Sequence, residues 1–376
     1  MPHCIESRPE STRPARRFAA HHVRGGRAGY TKPARRGYIG WMATPRQLVD
    51  RYGREIKDLR ISITDRCNFR CSYCMPEEGT EWLPRNELLS FEEILALARV
   101  FTTAFHVESI RLTGGEPTVR AQLPRLIKLL AGLRTHSGGP VDLSMTTNGA
   151  TLSILADELR RAGLRRLNIS LDTLDRAKFS SITKRDRLDQ VLAGIDAAIG
   201  AGFEVVKINA VAMRGINDDE LIDFAGFARE KGVTVRFIEF MPLDGGGMWT
   251  AQSVLTTQEI VDTISSRYPL EALPRTHAPA TRYRFLDGQG EIGVIPSVTQ
   301  PFCGDCDRVR LSAEGQLRTC LFAHQEHDLK ALLRSGATEE EMADRIEQIV
   351  DTKWAGHSIG RVNFLRPSKT MSQIGG

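Results

Sequence analysis

The chain has 376 residues, of which 41% are hydrophobic and 26% are charged, a composition typical of a globular protein with one large α/β domain or a large and a smaller domain. No apolar run approaches the roughly 20 residues needed to cross a bilayer, so the sequence predicts neither a transmembrane helix nor the apolar core of a signal peptide. We therefore expect a cytoplasmic protein with no membrane partner.

The net charge of +5 is concentrated at the amino end of the chain. Residues 1–40 contain nine Lys or Arg and two acidic residues, a net +7 that leaves −2 for the remainder. The basic pI is therefore no argument that the body of the protein binds nucleic acid. Residues 1–41 lack apolar periodicity and are rich in Arg, Gly and Pro, which predicts disorder. Three interpretations compete, an Arg-rich targeting segment, a nucleic-acid-binding arm, or sequence upstream of a native start at Met42, and we favour the third.

Six short β-branched runs then alternate with helical patterns. We predict strands at 59–64, 108–113, 142–147, 166–171, 205–211 and 233–240. The first intervening helix starts at Ser90, where Glu93 completes a capping box. Such alternation predicts parallel strands joined by crossover helices. Six units are too few for a closed eight-stranded barrel, and periodicity leaves open both a doubly wound sheet and a partial (β/α)6 barrel.

Polar motifs follow four of these strands. They are TDRCNFRC after the first strand, TGGEP (113–117) after the second, TTNG (146–149) after the third and SLD (170–172) at the end of the fourth. Each motif alone could be ordinary turn chemistry. Because the carboxyl ends of parallel strands meet on one face, the four together predict a ligand site there.

The pattern changes after residue 245. DGGGM (244–248) indicates a flexible joint, 283–295 a hairpin that turns at Asp287–Gly288, and 338–350 a helix. We therefore expect a domain at 42–245 and a second, smaller one at 246–376.

Six of the seven cysteines form two groups, Cys67, Cys71 and Cys74, and Cys303, Cys306 and Cys320. This grouping favours metal or redox chemistry in a reducing compartment over a disulfide framework. The first trio has no fourth Cys or His nearby in the sequence. That pattern indicates an iron–sulfur cluster with one iron open to a small molecule, and a zinc site completed from a distance is the alternative. For the second trio, spacing alone favours a Cys3His zinc site with His324.

Several Arg and Lys residues outside these motifs fall on predicted strands. Arg308 and Arg310 alternate on a predicted strand, so both side chains share one face and could grip a polyphosphate. An exposed edge strand protected by charge is the alternative. Single cations also fall on predicted buried strands, where an ion pair with Asp or Glu is the alternative role: Arg60, Arg111 and Lys207.

The first trio, with Tyr73 before its last cysteine, and the GGEP turn at 114–117 resemble the radical S-adenosylmethionine superfamily. The longer blocks LRISITDRCNFRCSYCMP, NISLDTLD, RFIEFMP and FCGDCDRVRLSAEGQLRTCLF resemble the GTP 3′,8-cyclase family of molybdenum cofactor biosynthesis, from about residue 42 to the end. This resemblance implies a partial (β/α)6 TIM-like barrel whose open side is closed by a smaller C-terminal α+β domain. It implies conversion of GTP to (8S)-3′,8-cyclo-7,8-dihydroguanosine 5′-triphosphate by 3′-hydrogen abstraction and C3′–C8 bond formation.

The same resemblance implies two [4Fe-4S] clusters, one on each trio, and S-adenosylmethionine as cofactor. It implies that Cys67, Cys71, Cys74, Arg308 and Arg310 are catalytic and that His324 is a surface or packing residue. The residues that it assigns to S-adenosylmethionine are Tyr73, Gly115, Glu116, Ser170 and Met241. Those that it assigns to GTP are Arg60, Arg111, Thr146, Lys207, Arg308, Val309 and Arg310. The terminal Gly375–Gly376 resembles a flexible probe that reaches the active site.

The expected partners are GTP, a reductant such as flavodoxin or ferredoxin, and a downstream cyclic pyranopterin monophosphate synthase, with no nucleic acid. A homodimer is a further candidate assembly. Two other functions compete with the cyclase. A radical enzyme that modifies a peptide or RNA would not need the predicted triphosphate cations, and a zinc-stabilised nucleic-acid-binding protein would contain no iron.

Overall fold

The computed structural model describes residues 46–75, 81–243, 247–362, 364–367 and 369–375. The predicted disordered tail, positions 244–246 of the predicted joint and Gly376 lie outside the described residues. The described residues form twelve strands, which belong to one sheet.

The six predicted strands form the centre of this sheet and are parallel. Their bounds are β1 Asp58–Ser62, β2 Ser109–Thr113, β3 Asp142–Thr147, β4 Arg166–Ser170, β5 Val205–Ala212 and β6 Thr234–Glu239. They lie side by side in sequence order from β1 to β6. A doubly wound sheet would reverse its strand order at a switch point, so this order selects the partial barrel.

Helices connect these strands as the alternation predicts. Their bounds are α1 Phe91–Thr103, α2 Leu123–Ala131, α3 Leu152–Ala162, α4 Arg176–Thr183, α5 Leu188–Gly200 and α6 Leu221–Lys231. The predicted capping box is present, because the Ser90 hydroxyl accepts from the amide of Glu93 and the Glu93 carboxylate accepts from the amide of Ser90. Among the described residues, no helix is long and apolar enough to span a bilayer.

The C-terminal part of the chain extends both edges of the barrel sheet. Its elements are α7 Thr257–Ser265, β7 Leu270–Ala272, β8 Thr281–Phe285, β9 Glu291–Ile295, β10 Arg308–Leu311, β11 Gln316–Arg318, β12 His327–Asp328, α8 Leu329–Arg334, α9 Glu339–Asp351 and α10 Met371–Ile374. Strand β9 pairs in parallel with β6, and β10 pairs in parallel with β1. The C-terminal part thereby closes the open side of the barrel. The predicted hairpin is β8–β9, and the predicted late helix is α9.

The described residues belong to one compact unit. Because strands of the C-terminal part pair directly with β1 and β6, the sheet continues across the expected boundary at 245. The division into domains at 42–245 and 246–376 therefore stays a prediction.

Alternation along the strands separates the core from the site. On β1, Leu59 and Ile61 are fully buried in the hydrophobic core. Successive strand residues point to opposite faces, so Arg60 and Ser62 project from the other side of the sheet. The ligand cavity lies on that side, and Arg60 lines it.

Candidate active site

A cavity of about 260 Å³ lies on the concave face of the barrel sheet. Side chains from each of the strands β1 to β6 line it, together with the loops that follow β1, β2 and β3. Strands β9 and β10 and Met371 of α10 complete its wall. The four polar motifs expected at the carboxyl ends of the strands therefore meet in one place.

The first cysteine trio lines this cavity on the loop after β1. Cys67, Cys71 and Cys74 are free and half-buried. The amides of Arg70 and Ser72 donate to carbonyl oxygens at the end of α4, each at 2.9 Å, and fix the loop against that helix. Burial raises the pKa of Cys67 to about 11 and that of Cys74 to about 12. The metal-free thiols are therefore neutral, and a bound metal would have to displace their protons.

The GGEP turn packs directly on the cysteine loop. A Cβ on Gly115 would lie 2.4 Å from the carbonyl oxygen of Arg66 and 2.5 Å from that of Asp65, so only glycine allows this approach. The buried Glu116 carboxylate accepts from the Asn148 amide and the Thr147 hydroxyl, both at 2.6 Å. Gly115 and Glu116 thereby hold the carboxyl ends of β1, β2 and β3 together beside the first cysteine trio.

Tyr73, Ser170 and Met241 line the same cavity, as do Gly115 and Glu116. The Tyr73 hydroxyl donates to Asp172 at 2.7 Å, and the amide of Val211 donates to the same carboxylate at 2.9 Å. Burial raises the pKa of Asp172 to about 6. All five residues expected to bind S-adenosylmethionine thus line one cavity, and Asp172 of the SLD motif, to which the sequence alone assigned no role, lies beside them.

Three arginines form a row across neighbouring strands. Arg60 is paired in register with Arg310 on one side and with Arg111 on the other. Arg308 lies two residues before Arg310, on the same face of β10. All four arginines line the cavity, as does Thr146. Strand β10 lies between β1 and β11, so the edge-strand interpretation of Arg308 and Arg310 is wrong.

These arginines are only partly neutralised. The Asp58 carboxylate lies 3.9 Å from Arg60, 4.0 Å from Arg111 and 3.9 Å from Arg308, and Asp307 lies 3.4 Å from Arg308. These separations exceed hydrogen-bond length, and among the described residues the Nε of Arg60 has no hydrogen-bond partner. Burial and the neighbouring guanidiniums of Arg310 and Arg111 hold the pKa of Arg60 well below its usual value. The row therefore carries more positive charge than the neighbouring carboxylates of Asp58 and Asp307 balance.

Two residues expected at the GTP site lie outside the cavity lining. Lys207 shares the inner face of β5 with Asn209 and Val211 but lies nearer the amino end of the strand. Burial, followed by the charge of Arg236, lowers the pKa of Lys207 to about 8. Val309 is fully buried on the opposite face of β10, so its side chain points away from Arg308 and Arg310.

Arg236 on β6 also lines the cavity, although it is not among the residues predicted from the sequence. Its guanidinium donates to Asn209 at 2.6 Å and to Asn168 at 2.6 Å, both amide oxygens. Burial and the charge of Arg111 lower its pKa to about 9. The signal that could have found it is the one applied to Lys207, a lone cation on a strand predicted to be buried.

The second trio borders an adjoining cavity of about 80 Å³. Cys303, Cys306 and Cys320 are free and half-buried. The two cavities share six wall residues, all but the first of them in the C-terminal part: Met241, Ser297, Phe302, Arg308, Arg310 and Leu321. The two trios thus open toward one chamber, with Arg308 and Arg310 between them.

His324 lies outside this chamber. It is exposed, and its ring lies against Trp354 with the centroids 5.8 Å apart. Within the described ranges, no three His, Cys, Asp or Glu side chains converge as a single metal ion requires.

Gly375 lies inside the barrel. Its carbonyl oxygen accepts a hydrogen bond from Arg310, and its φ is +80°. A Cβ there would lie 2.4 Å from the Ser62 hydroxyl and 2.8 Å from the Thr113 hydroxyl, at the ends of β1 and β2. The C-terminal segment therefore reaches the arginine row, as the resemblance implies.

Comparison with known proteins agrees with this geometry. The Radical SAM superfamily model matches residues 61–228, and the Molybdenum Cofactor Synthesis C model matches residues 233–359. The chain is 48% identical over 348 residues to a GTP 3′,8-cyclase of Rhodopirellula baltica, covering 91% of this chain and 96% of the relative. It is 45% identical over 338 residues to a GTP 3′,8-cyclase of Corynebacterium glutamicum, covering 88% and 90%.

Among solved structures, Streptococcus suis SuiB bound to its precursor peptide SuiA is similar, with a TM-score of 0.53 and 14% identity. That alignment covers 79% of this chain and 67% of SuiB. At this identity, the likeness concerns the fold alone.

Proposed function

The chain belongs to the GTP 3′,8-cyclase family, and we propose that it carries out the reaction of that family with two [4Fe-4S] clusters facing one chamber. It is a radical S-adenosylmethionine lyase that converts GTP to (8S)-3′,8-cyclo-7,8-dihydroguanosine 5′-triphosphate, the first step of molybdenum cofactor biosynthesis. The first trio holds the cluster that binds S-adenosylmethionine. The second trio holds the cluster that binds the guanine base.

The observation that carries this proposal is the position of the arginines between the two trios. Arg308 and Arg310 border both cavities, and Arg60 and Arg111 continue the row along the barrel wall. A nucleotide held at its base by the second trio would extend its triphosphate along these guanidiniums, which bind phosphate bidentately. A peptide substrate would leave the surplus charge without a counterion.

The residues of the chain then position and shield the reactants. When bound at Cys67, Cys71 and Cys74, the first cluster together with S-adenosylmethionine would supply the radical chemistry that removes the 3′ hydrogen of GTP. Glu116 and Gly115 keep the first trio and the next two strand ends at a fixed separation. Anchoring GTP at its base and its phosphates holds C3′ near C8, which is an orientation effect. The barrel strands and the C-terminal part line the cavity together, which reduces the access of water to the reacting carbon.

The direct test is anaerobic incubation of the reconstituted protein with GTP, S-adenosylmethionine and a reductant. We expect 5′-deoxyadenosine to form only when GTP is present, together with the cyclised nucleotide, both measured by chromatography with mass detection. Cleavage of S-adenosylmethionine at the same rate with and without GTP would contradict the proposal. So would a colourless protein that contains no iron.

Lys207 provides a pH prediction. If its ammonium contacts the triphosphate, binding above about pH 8 requires uptake of a proton, because the pKa of Lys207 in the free protein is lowered to about 8. The dissociation constant of GTP should then rise about tenfold between about pH 7 and pH 9. Calorimetric titration of GTP measures this change.

The Lys207→Met variant is the control for this prediction. It should bind GTP more weakly at pH 7 and lose most of the rise toward pH 9. An identical pH dependence in both proteins would show that Lys207 does not contact the nucleotide.

We further assign this protein to the cytoplasm, since the six grouped cysteines are free and iron–sulfur chemistry requires a reducing compartment. The reductant is a low-potential carrier such as flavodoxin or ferredoxin. The product passes to a cyclic pyranopterin monophosphate synthase. A homodimer, detectable by light scattering, is the further assembly to test.

A further inference from the structure

A buried lysine lies beside the second cysteine trio. Lys353 follows α9 and is 2% exposed. Its Nζ lies 3.6 Å from the Cys306 Sγ and donates to the carbonyl oxygens of Arg308 at 2.7 Å and Thr319 at 2.6 Å. These three acceptors match the three N–H groups of a lysine ammonium.

This cation has no carboxylate partner among the residues that the structure describes, since its contacts are one sulfur and two carbonyl oxygens. An unpaired buried cation is costly. A cysteine thiolate at Cys306 would offset that cost.

The segment that carries Lys353 is itself fixed to the trio. The buried Arg54 pairs with Asp50 at 2.6 Å and donates to the carbonyl oxygens of Cys303 at 2.6 Å and Ala355 at 2.9 Å. A Cβ on Gly356 would lie 2.9 Å from the Cys303 Cβ. Residues 353–356 therefore wrap closely around the second trio, and the position of the lysine is well defined.

We propose that Lys353 is a positioning residue for the second cluster. The fixed positive charge of Lys353 raises the reduction potential of that cluster, and its hydrogen bonds hold β10 and the Thr319–Cys320 segment after β11 around the cluster. This inference rests on the proposed function, because it assumes a cluster at the second trio. A cation next to a ligand sulfur favours the reduced cluster, which carries one more negative charge. Since Lys353 also binds the carbonyl of Arg308, it fixes the strand from which Arg308 faces the chamber.

The test isolates the second cluster in the full-length chain. In the parent variant Cys67→Ala/Cys71→Ala/Cys74→Ala, reconstituted iron should amount to about four atoms per chain. Adding Lys353→Gln removes the charge but keeps a hydrogen-bond donor. We expect iron to be retained and the ratio of reduced to oxidised cluster at a fixed potential to fall about tenfold, which corresponds to about 59 mV for one electron. Redox titration followed by electron paramagnetic resonance measures the ratio.

The matched control is Lys330→Met in the same parent. Lys330 donates to the carbonyl oxygen of Glu87 at 2.8 Å and lies outside both cavity linings, so the midpoint should not change. An equal midpoint in the Lys353→Gln variant and its parent would overturn the inference. If Lys353→Gln holds no iron, retention of iron by Lys353→Arg supports the charge, and loss in both variants overturns it. A parent that binds no iron refutes the proposed function itself, and the inference with it.

Discussion

The Cys320→Ala variant should contain about four iron atoms per chain instead of about eight, and it should form no cyclised product. Cys320 borders the second cavity only, whereas the first trio lines the larger cavity on a loop fixed to α4. The first cluster should therefore assemble in the variant, while the base of GTP loses its anchor. Iron analysis and product chromatography on the anaerobically reconstituted protein measure both effects.

Two other cysteine variants complete this experiment. Cys71→Ala should also lose about half the iron but, in addition, all cleavage of S-adenosylmethionine, since the first cluster carries that step. Cys4→Ala removes the seventh cysteine of the sequence, which belongs to neither trio, and should keep both the iron and the activity. Unaltered protein with about four Fe and one Zn would instead assign zinc to the second trio.

Arg60→Met should weaken GTP binding by about 2–5 kcal/mol, or roughly 30- to 5,000-fold in Kd, without lowering the stability of the GTP-free protein. The Arg60 side chain is 14% exposed, lies between two other arginines in register, and has no hydrogen-bond partner for its Nε among the described residues. In the GTP-free protein, the guanidiniums of Arg310 and Arg111 repel the charge of Arg60. Replacing Arg60 with Met removes this repulsion. With GTP bound, the same charge pairs with phosphate.

Calorimetry with GTP and thermal unfolding without it test these opposite effects. Arg165→Met is the matched control, because Arg165 forms an exposed ion pair with Glu204 at 2.9 Å, and its loss should change binding and stability by less than about 1 kcal/mol. An Arg60→Met protein that binds GTP normally but melts at a lower temperature would show that Arg60 is only a structural residue.

The local elements of this fold could be predicted from the sequence. Short β-branched runs predicted the six barrel strands, and the Ser90–Glu93 capping box predicted the start of α1, because both signals depend on residues close together in the sequence. The cysteine spacings indicated two incomplete metal sites for the same reason. Motif resemblance then supplied the family, which the comparisons confirmed.

Only the tertiary structure decided which distant residues meet. Periodicity could not distinguish a doubly wound sheet from a partial barrel, since both use the same strands and differ only in the order of pairing. Arg310 became a neighbour of Arg60 because β10 pairs with β1, whereas Lys207 lies too near the amino end of β5 to line the cavity. Strand order and register are set by long-range packing, so composition and spacing along the chain contain no record of them.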